Sequence, residues 1–166
     1  MLLVRPKESP PELAADLAPR HILIPLDGSP FSEQIIPLAV AVSTLTSAMY
    51  RLLQVVPPVL TSGGGGLGPL SPGTRSVADE LESDGRSYLN ALAMHSPPLG
   101  AAATHVAVDW PPAVAILADA EANGIDLIVL ETRGSSGLAK LLLGSVADKV
   151  VRGATVPVLL QRPGGA

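Results

Sequence analysis

Cysteine is absent from the 166 residues. Its absence excludes disulfides, thiolate metal sites and a cysteine nucleophile. Aromatic residues make up only 2% of the chain, too few for platforms on which nucleic-acid bases stack. Positive charge is not in excess, since the net charge is −4. That argues against nucleic acid as the main partner. No uninterrupted apolar run approaches the ~18 residues needed to span a bilayer. The stretch 35–42 is apolar but short, and Pro37 lies within it. The opening MLLVRPKESPPEL is interrupted at once by Arg5, Pro6, Lys7 and Glu8. It therefore lacks the apolar region of a signal peptide, and a cytoplasmic location is expected. His21, His95 and His105 show no ligand spacing, so no metal site is expected.

What the chain does have is enough apolar material for one buried core. Hydrophobic residues are 47% and charged residues 16%, a globular composition. The length suits a single domain. Residues 1–19 hold Pro6, Pro10, Pro11 and Pro19 without a sustained period, and read as a flexible tail. Residues 20–163 read as the domain and 164–166 as a short tail.

Within the domain, apolar runs alternate with helical patterns. The strands are HILIPL (21–26), YRLLQVV (50–56), THVAV (104–108), DLIVLE (126–131) and VPVLL (156–160). After the first strand, Asp27-Gly28-Ser29-Pro30 reads as a turn into a helix, with Ser29 as N-cap. Ile35, Leu38, Val42 and Leu45 continue that helix, and Pro37 predicts a bend in it. Residues 57–76 are rich in Gly and Pro and read as a flexible loop. Gly63–Gly66 has no Lys-Ser/Thr sequel, so it is not a P-loop. A helix carrying Val77, Leu81, Tyr88 and Leu92 follows, with Gly85 weakening it. Pro111-Pro112 open the next helix, and Gly124 closes it. The segment 138–152 is largely helical, broken near Gly144. Strands apolar on both faces, separated by helices, imply a parallel sheet covered on both sides. In such sheets ligands bind at the carboxyl ends of strands, where the strand order reverses.

The informative stretch is ETRGSSGLAKLLLGSVADKVV (131–151). It follows a strand and supplies Gly134, Gly137 and Gly144-Ser145 at a helix start. Glycines let backbone approach a phosphate, and a helix start offers unpaired N–H donors at the positive end of its dipole. Ser145 with Asp148 three residues on also fits a capping box, and capping alone explains both residues. Lys140 could reach a phosphate, yet also reads as a solvated helix lysine. Trp110 reads as a cap on a core edge, or as a narrowing of a pocket mouth.

These blocks resemble the universal stress protein family. Its nucleotide motif runs Gly, two residues, Gly, nine residues, then Gly with Ser or Thr. Here Gly134 is separated by Ser135 to Leu143 from Gly144-Ser145. RGSSGLAKLLLGSVADKVV, the closing VPVLLQRP and the leading HILIPLDGSPFSEQ look like the family, and the resemblance covers residues 20–163. It implies a five-stranded parallel α/β sheet in the order 3-2-1-4-5 with helices on both faces. That is a Rossmann-like fold of the adenine nucleotide alpha hydrolase type. It implies ATP or another adenine nucleotide as ligand, the triphosphate with Mg2+. Leu26, Asp27 and Val55 would border the adenine and ribose, and Leu130 the base pocket. Thr132, Gly134, Gly144, Ser145 and Val146 would hold ribose and phosphates. It also implies a homodimer paired through strand 156–160 at a sheet edge, and a regulatory protein partner in the stress response. No activated nucleophile or paired acid–base set supports an enzyme, though slow ATP hydrolysis stays open.

One departure stands out. The motif's first glycine is Glu131 here. A carboxylate ~5 Å from a triphosphate costs roughly 3 kcal/mol at an effective dielectric of ~20. Glu131 could instead point to solvent or reach Arg133. The alternative function is therefore a dimeric interaction module of the same fold without nucleotide.

Overall fold

A computed structural model of the protein describes residues 1–3, 18–58, 72–132 and 144–162. The strands are β1 (Leu2–Leu3), β2 (His21–Leu26), β3 (Met49–Val56), β4 (Ala103–Val108), β5 (Leu127–Glu131) and β6 (Val158–Gln161). The helices are α1 (Ile36–Thr46), α2 (Pro72–His95), α3 (Pro112–Ala122) and α4 (Ser145–Gly153). The strands form one sheet in the order β1-β6-β5-β2-β3-β4. Strands β2 to β6 run parallel to their neighbours, and β1 is antiparallel to β6.

Two expectations are corrected by β1. The sheet has six strands rather than five, and it is mixed rather than wholly parallel. Residues 156–160 do not form an open edge, because Leu2 pairs with Leu159 and Leu3 with Val158. The physical reason is plain: an edge strand carries unpaired N–H and C=O groups, and a nearby segment satisfies them. Leu3 also packs against the core beneath α3 and α4. The remainder of the expected tail, 4–17, lies outside the described residues, as do 163–166.

Alternation along the strands fills both faces. Ile22 and Ile24 of β2 join Ala39 of α1 and Leu89 and Ala93 of α2 in one buried cluster. Leu23 of β2 and Ile128 of β5 join Ile116 of α3 and Val150 of α4 in the other. Burying one such aliphatic side chain is worth roughly 1.5–3 kcal/mol, which fixes the register of every strand.

The helix ends differ from the sequence reading in two places. The chain after β2 first makes a 3-10 turn, Ser32–Ile35, and α1 starts at Ile36. Pro37 is then in the first turn, where its missing N–H has no partner to lose. The expected bend is unnecessary. Ser29 is not the cap of either helix, whose N-caps are Phe31 and Ile35; its hydroxyl accepts the Ser32 N–H at 3.2 Å within the turn that precedes them. Helix α2 begins at Pro72, inside the stretch expected to be loop; 59–71 lies outside the described residues. Gly85 is buried in α2. A Cβ there would meet Gln54 Oε1 at 2.7 Å and Val106 at 3.1 Å. Its value is close approach of helix to sheet, which outweighs its poor helix propensity. At the end of α3, Gly124 takes φ +57°. Ile125 N–H donates to Ala120 O and Gly124 N–H to Glu121 O, the two bonds of a Schellman cap.

Candidate functional site

Strand β2 lies between β3 and β5. The chain winds outward from β2 through β3 to β4, then returns to β5 on the other side. Strand order therefore reverses between β2 and β5. Pairing of β2 with β3 runs from His21–Met49 to Leu26–Gln54, whereas that of β2 with β5 is confined to Ile22–Leu127 and Leu23–Ile128. The carboxyl ends of β2 and β5 are thus free to part, and a cavity of about 320 Å3 opens there. That is a small-ligand size.

Its walls come from five elements. Leu26 ends β2 and Asp27 follows it, Val55 is near the end of β3, and Leu130 and Glu131 end β5. Pro112 and Ile116 of α3 form one side, and Gly144 to Ala147 bring the first turn of α4. The cavity thus brings together Leu26, Asp27, Val55, Leu130, Gly144, Ser145 and Val146. Thr132 is not in its lining. It is buried, and its N–H and hydroxyl both donate to Gln161 O, at 2.9 and 3.1 Å. Gly134, Arg133 and Lys140 lie outside the described residues. Ser32 and Phe31, which local sequence did not single out, complete the wall below Asp27.

Three local details set the chemistry. First, Asp27 is both turn-former and wall. Its Oδ1 accepts the Ser29 N–H at 3.0 Å, its own N–H donates to Ser32 Oγ at 3.3 Å, and Gly28 takes φ +81° to let the chain turn. Second, α4 starts without a side-chain cap. Gly144 is the N-cap, and Asp148 pairs with Arg152 at 2.9 Å instead of reaching back. The capping-box reading of Ser145 and Asp148 is therefore corrected: Ser145 is the first helical residue, exposed at the cavity rim. The helix presents its amino end, with the positive end of its dipole, to the cavity.

Third, Glu131 faces inward. Both carboxylate oxygens are buried and have no hydrogen-bond partner among the described residues. The solvent-facing reading of this side chain is corrected. Burial pushes its carboxyl above the ordinary glutamate value, because a buried charge without a partner is costly. Trp110 is neither a core cap nor a wall: it is 63% exposed and absent from the lining.

A second polar cluster lies away from the cavity. Asp119 of α3 is 7% exposed. It accepts Arg51 Nε and Nη2, both at 2.7 Å, and contacts His105 Nδ1 at 2.8 Å. Burial raises its pKa, but the hydrogen bonds from Arg51 and His105 outweigh this and hold the carboxyl below the usual aspartate range. The bidentate bond in turn raises the pKa of Arg51. The signal in the sequence was Arg51 itself, a charge inside an apolar strand. Asp119 is 68 residues from Arg51 and 14 from His105, so no local motif joins the three.

Comparison with known proteins fits this architecture. The model of the universal stress protein family matches residues 19–162. The chain belongs to the universal stress protein family. Among curated relatives, it is 28% identical over 144 residues to universal stress protein YxiE of Bacillus subtilis, covering 85% of this chain and 97% of that one. It is 30% identical to universal stress protein MJ0531 of Methanocaldococcus jannaschii, covering 85% and 81%. Among solved structures, hypothetical protein MJ0577 aligns with a TM-score of 0.68 at 21% identity, over 89% of this chain and 98% of that one. A universal stress protein in complex with cAMP aligns at 0.56 with 20% identity, over 87% and 98%. These structural likenesses show the fold.

Proposed function

We propose that this universal stress protein is a regulatory protein of the stress response that binds an adenine nucleotide in the cavity at the β2/β5 crossing. ATP is the ligand that its sequence motif implies. One observation carries the proposal: an apolar slot at the strand-order reversal meets the uncapped amino end of α4. An apolar slot suits a base, and backbone N–H groups at a helix start suit a phosphate oxygen. A relative of the same fold solved in complex with cAMP supports the choice of an adenine ligand. The chain acts by changing shape or partner affinity on binding, and turnover is not its role. Mg2+ enters only with a polyphosphate ligand.

A homodimer through residues 156–160 belongs to the same proposal, on a stated condition. Strand β1 holds the outer edge of β6 through two residue pairs, so a second chain must displace it.

Calorimetry and thermal shift with ATP, ADP, AMP and adenosine at millimolar concentration test the proposal. Saturable heat and a raised melting temperature with at least one of them is the expected result. No heat and no shift with any of them contradicts it. That outcome favours the second reading, an interaction module without nucleotide, for which the inward Glu131 is the specific observation.

A further inference from the structure

The two edges of the sheet are treated differently. Strand β4 forms one edge, with no described strand on its outer side, and only Val106 of its six residues is buried. Strand β6 would form the other edge, but β1 lies against it. Val158 and Leu160 of β6 are buried and belong to the core under α3 and α4. An apolar edge strand with free N–H and C=O groups invites a further strand.

What occupies that edge is the kind of strand that a second copy of the chain would bring. A two-fold axis at a sheet edge pairs a strand with its own mate, antiparallel, because the same surface meets itself. Strand β1 is antiparallel to β6 too. Leu2 stands opposite Leu159 and Leu3 opposite Val158, and the Leu160 N–H donates to Met1 O at 2.8 Å. The residues of β1 are leucines, as are the central two of β6. Leu3 also packs against the cluster that holds Val158 and Leu160. Strand β1 therefore takes up the backbone groups and the apolar face that a mate strand would need.

The contact is short. It consists of two residue pairs, and Leu2 is exposed. Such a contact is reversible, yet its tether through 4–17 lets it compete at an effective concentration in roughly the millimolar range. Both copies must open before they pair, so the apparent dimer Kd rises with the inverse square of the open fraction. A strap open half of the time weakens the dimer about fourfold.

We propose that β1 is an autoinhibitory strap, which occupies the homodimer edge and sets the concentration at which two copies of this chain pair. The proposal rests on the reading of residues 156–160 as the dimer edge and deepens it.

The test locks and releases the strap. The chain has no cysteine, so one engineered disulfide has no competitor. Leu2→Cys with Leu159→Cys joins β1 to β6 when oxidised, since directly opposed antiparallel residues lie within disulfide reach. Leu2→Pro with Leu3→Pro releases β1. Sedimentation equilibrium across micromolar concentrations compares wild type, the cysteine variant oxidised and reduced, and the proline variant. Mass spectrometry confirms that the disulfide lies within one chain, and melting curves confirm folding. The oxidised form is expected to stay monomeric while the reduced form dimerises, and the proline variant to dimerise with a Kd at least about fourfold below that of wild type. A proline variant with the wild-type Kd, beside a monomeric locked form, overturns the strap while leaving the dimer edge in place. A locked form that dimerises as well as the reduced one puts the contact elsewhere and overturns both. No dimer in any of these proteins removes the homodimer reading itself, and the proposal with it.

Discussion

Two acids of this protein, Asp119 buried and Glu131 half-buried, have opposite surroundings. Asp119, between α3 and the β3–β4 side of the sheet, has Arg51 on both oxygens and His105 on one. Glu131, at the carboxyl end of β5, has no partner for either oxygen among the described residues. Their pKa values move apart accordingly, Asp119 downward and Glu131 upward. The difference separates two uses of a buried charge. Asp119 is complete within the chain and ties a helix to the sheet. Glu131 is incomplete, and it stands at a cavity wall. A saturated acid is a structural joint; an unsaturated one beside a cavity has no such role within the described residues.

The comparison breaks most visibly at Arg51. Arg51→Ala leaves the Asp119 carboxylate buried with only His105, and stability should fall by about 3 kcal/mol. Urea denaturation reads this directly; a loss below about 1 kcal/mol would mean that the pair is an exposed ornament.

Gln54 Oε1 sharpens the contrast, because it too is buried without a hydrogen-bond partner. It is enclosed by packing rather than open to a cavity: a Cβ on Gly85 would sit 2.7 Å from it. Gly85→Ala should therefore destabilise by about 1–3 kcal/mol despite alanine's better helix propensity. A gain in melting temperature would show that α2 has room to shift.

A smaller effect is expected in the pH dependence of stability. The folded pKa of Asp119 is depressed, so its contribution is present above the ordinary aspartate value and lost as pH falls below it. The folded pKa of Glu131 is raised, so the fold tolerates it while protonated, and stability is lost as pH rises above the ordinary glutamate value. Denaturation of wild type, Asp119→Asn and Glu131→Gln between about pH 4 and about pH 7 separates the two. Glu131→Gln should gain on wild type as pH rises. Equal curves for Glu131→Gln and wild type would show an ordinary, solvated carboxylate.

The smallest perturbation concerns β1. Leu2→Pro and Leu3→Pro together remove pairing to β6, and should raise the dimer fraction seen by light scattering at tens of micromolar above that of the wild type. A dimer fraction that does not change would place the dimer contact elsewhere, or remove it.

Sequence reasoning reached all five parallel strands, because each is a short, mainly apolar run set between helical patterns. It did not reach β1, since Leu2-Leu3 is too short to carry a period. The bend expected at Pro37 came from placing the helix start at Pro30; the intervening 3-10 turn moves that start to Ile36. Seven of the expected site residues line one cavity because each sits at a strand's carboxyl end or the start of α4, positions that a spacing motif records. Thr132 follows β5 but is drawn to Gln161 by the β5–β6 pairing, which no motif encodes. The direction of Glu131 was unreadable for a similar reason: it ends its strand, and what it faces depends on where α4 packs. Arg51, His105 and Asp119 meet only in three dimensions.

The most direct measurement is a carbon-13 NMR titration of the Glu131 side-chain carboxyl, assigned by its loss in Glu131→Gln. It is made on the free protein and in the presence of AMP. A carboxyl buried beside a phosphate site titrates above the ordinary glutamate value when free, and higher still with AMP bound, because the phosphate charge favours the neutral acid. A carboxyl that titrates at the ordinary value and does not respond to AMP would contradict the account.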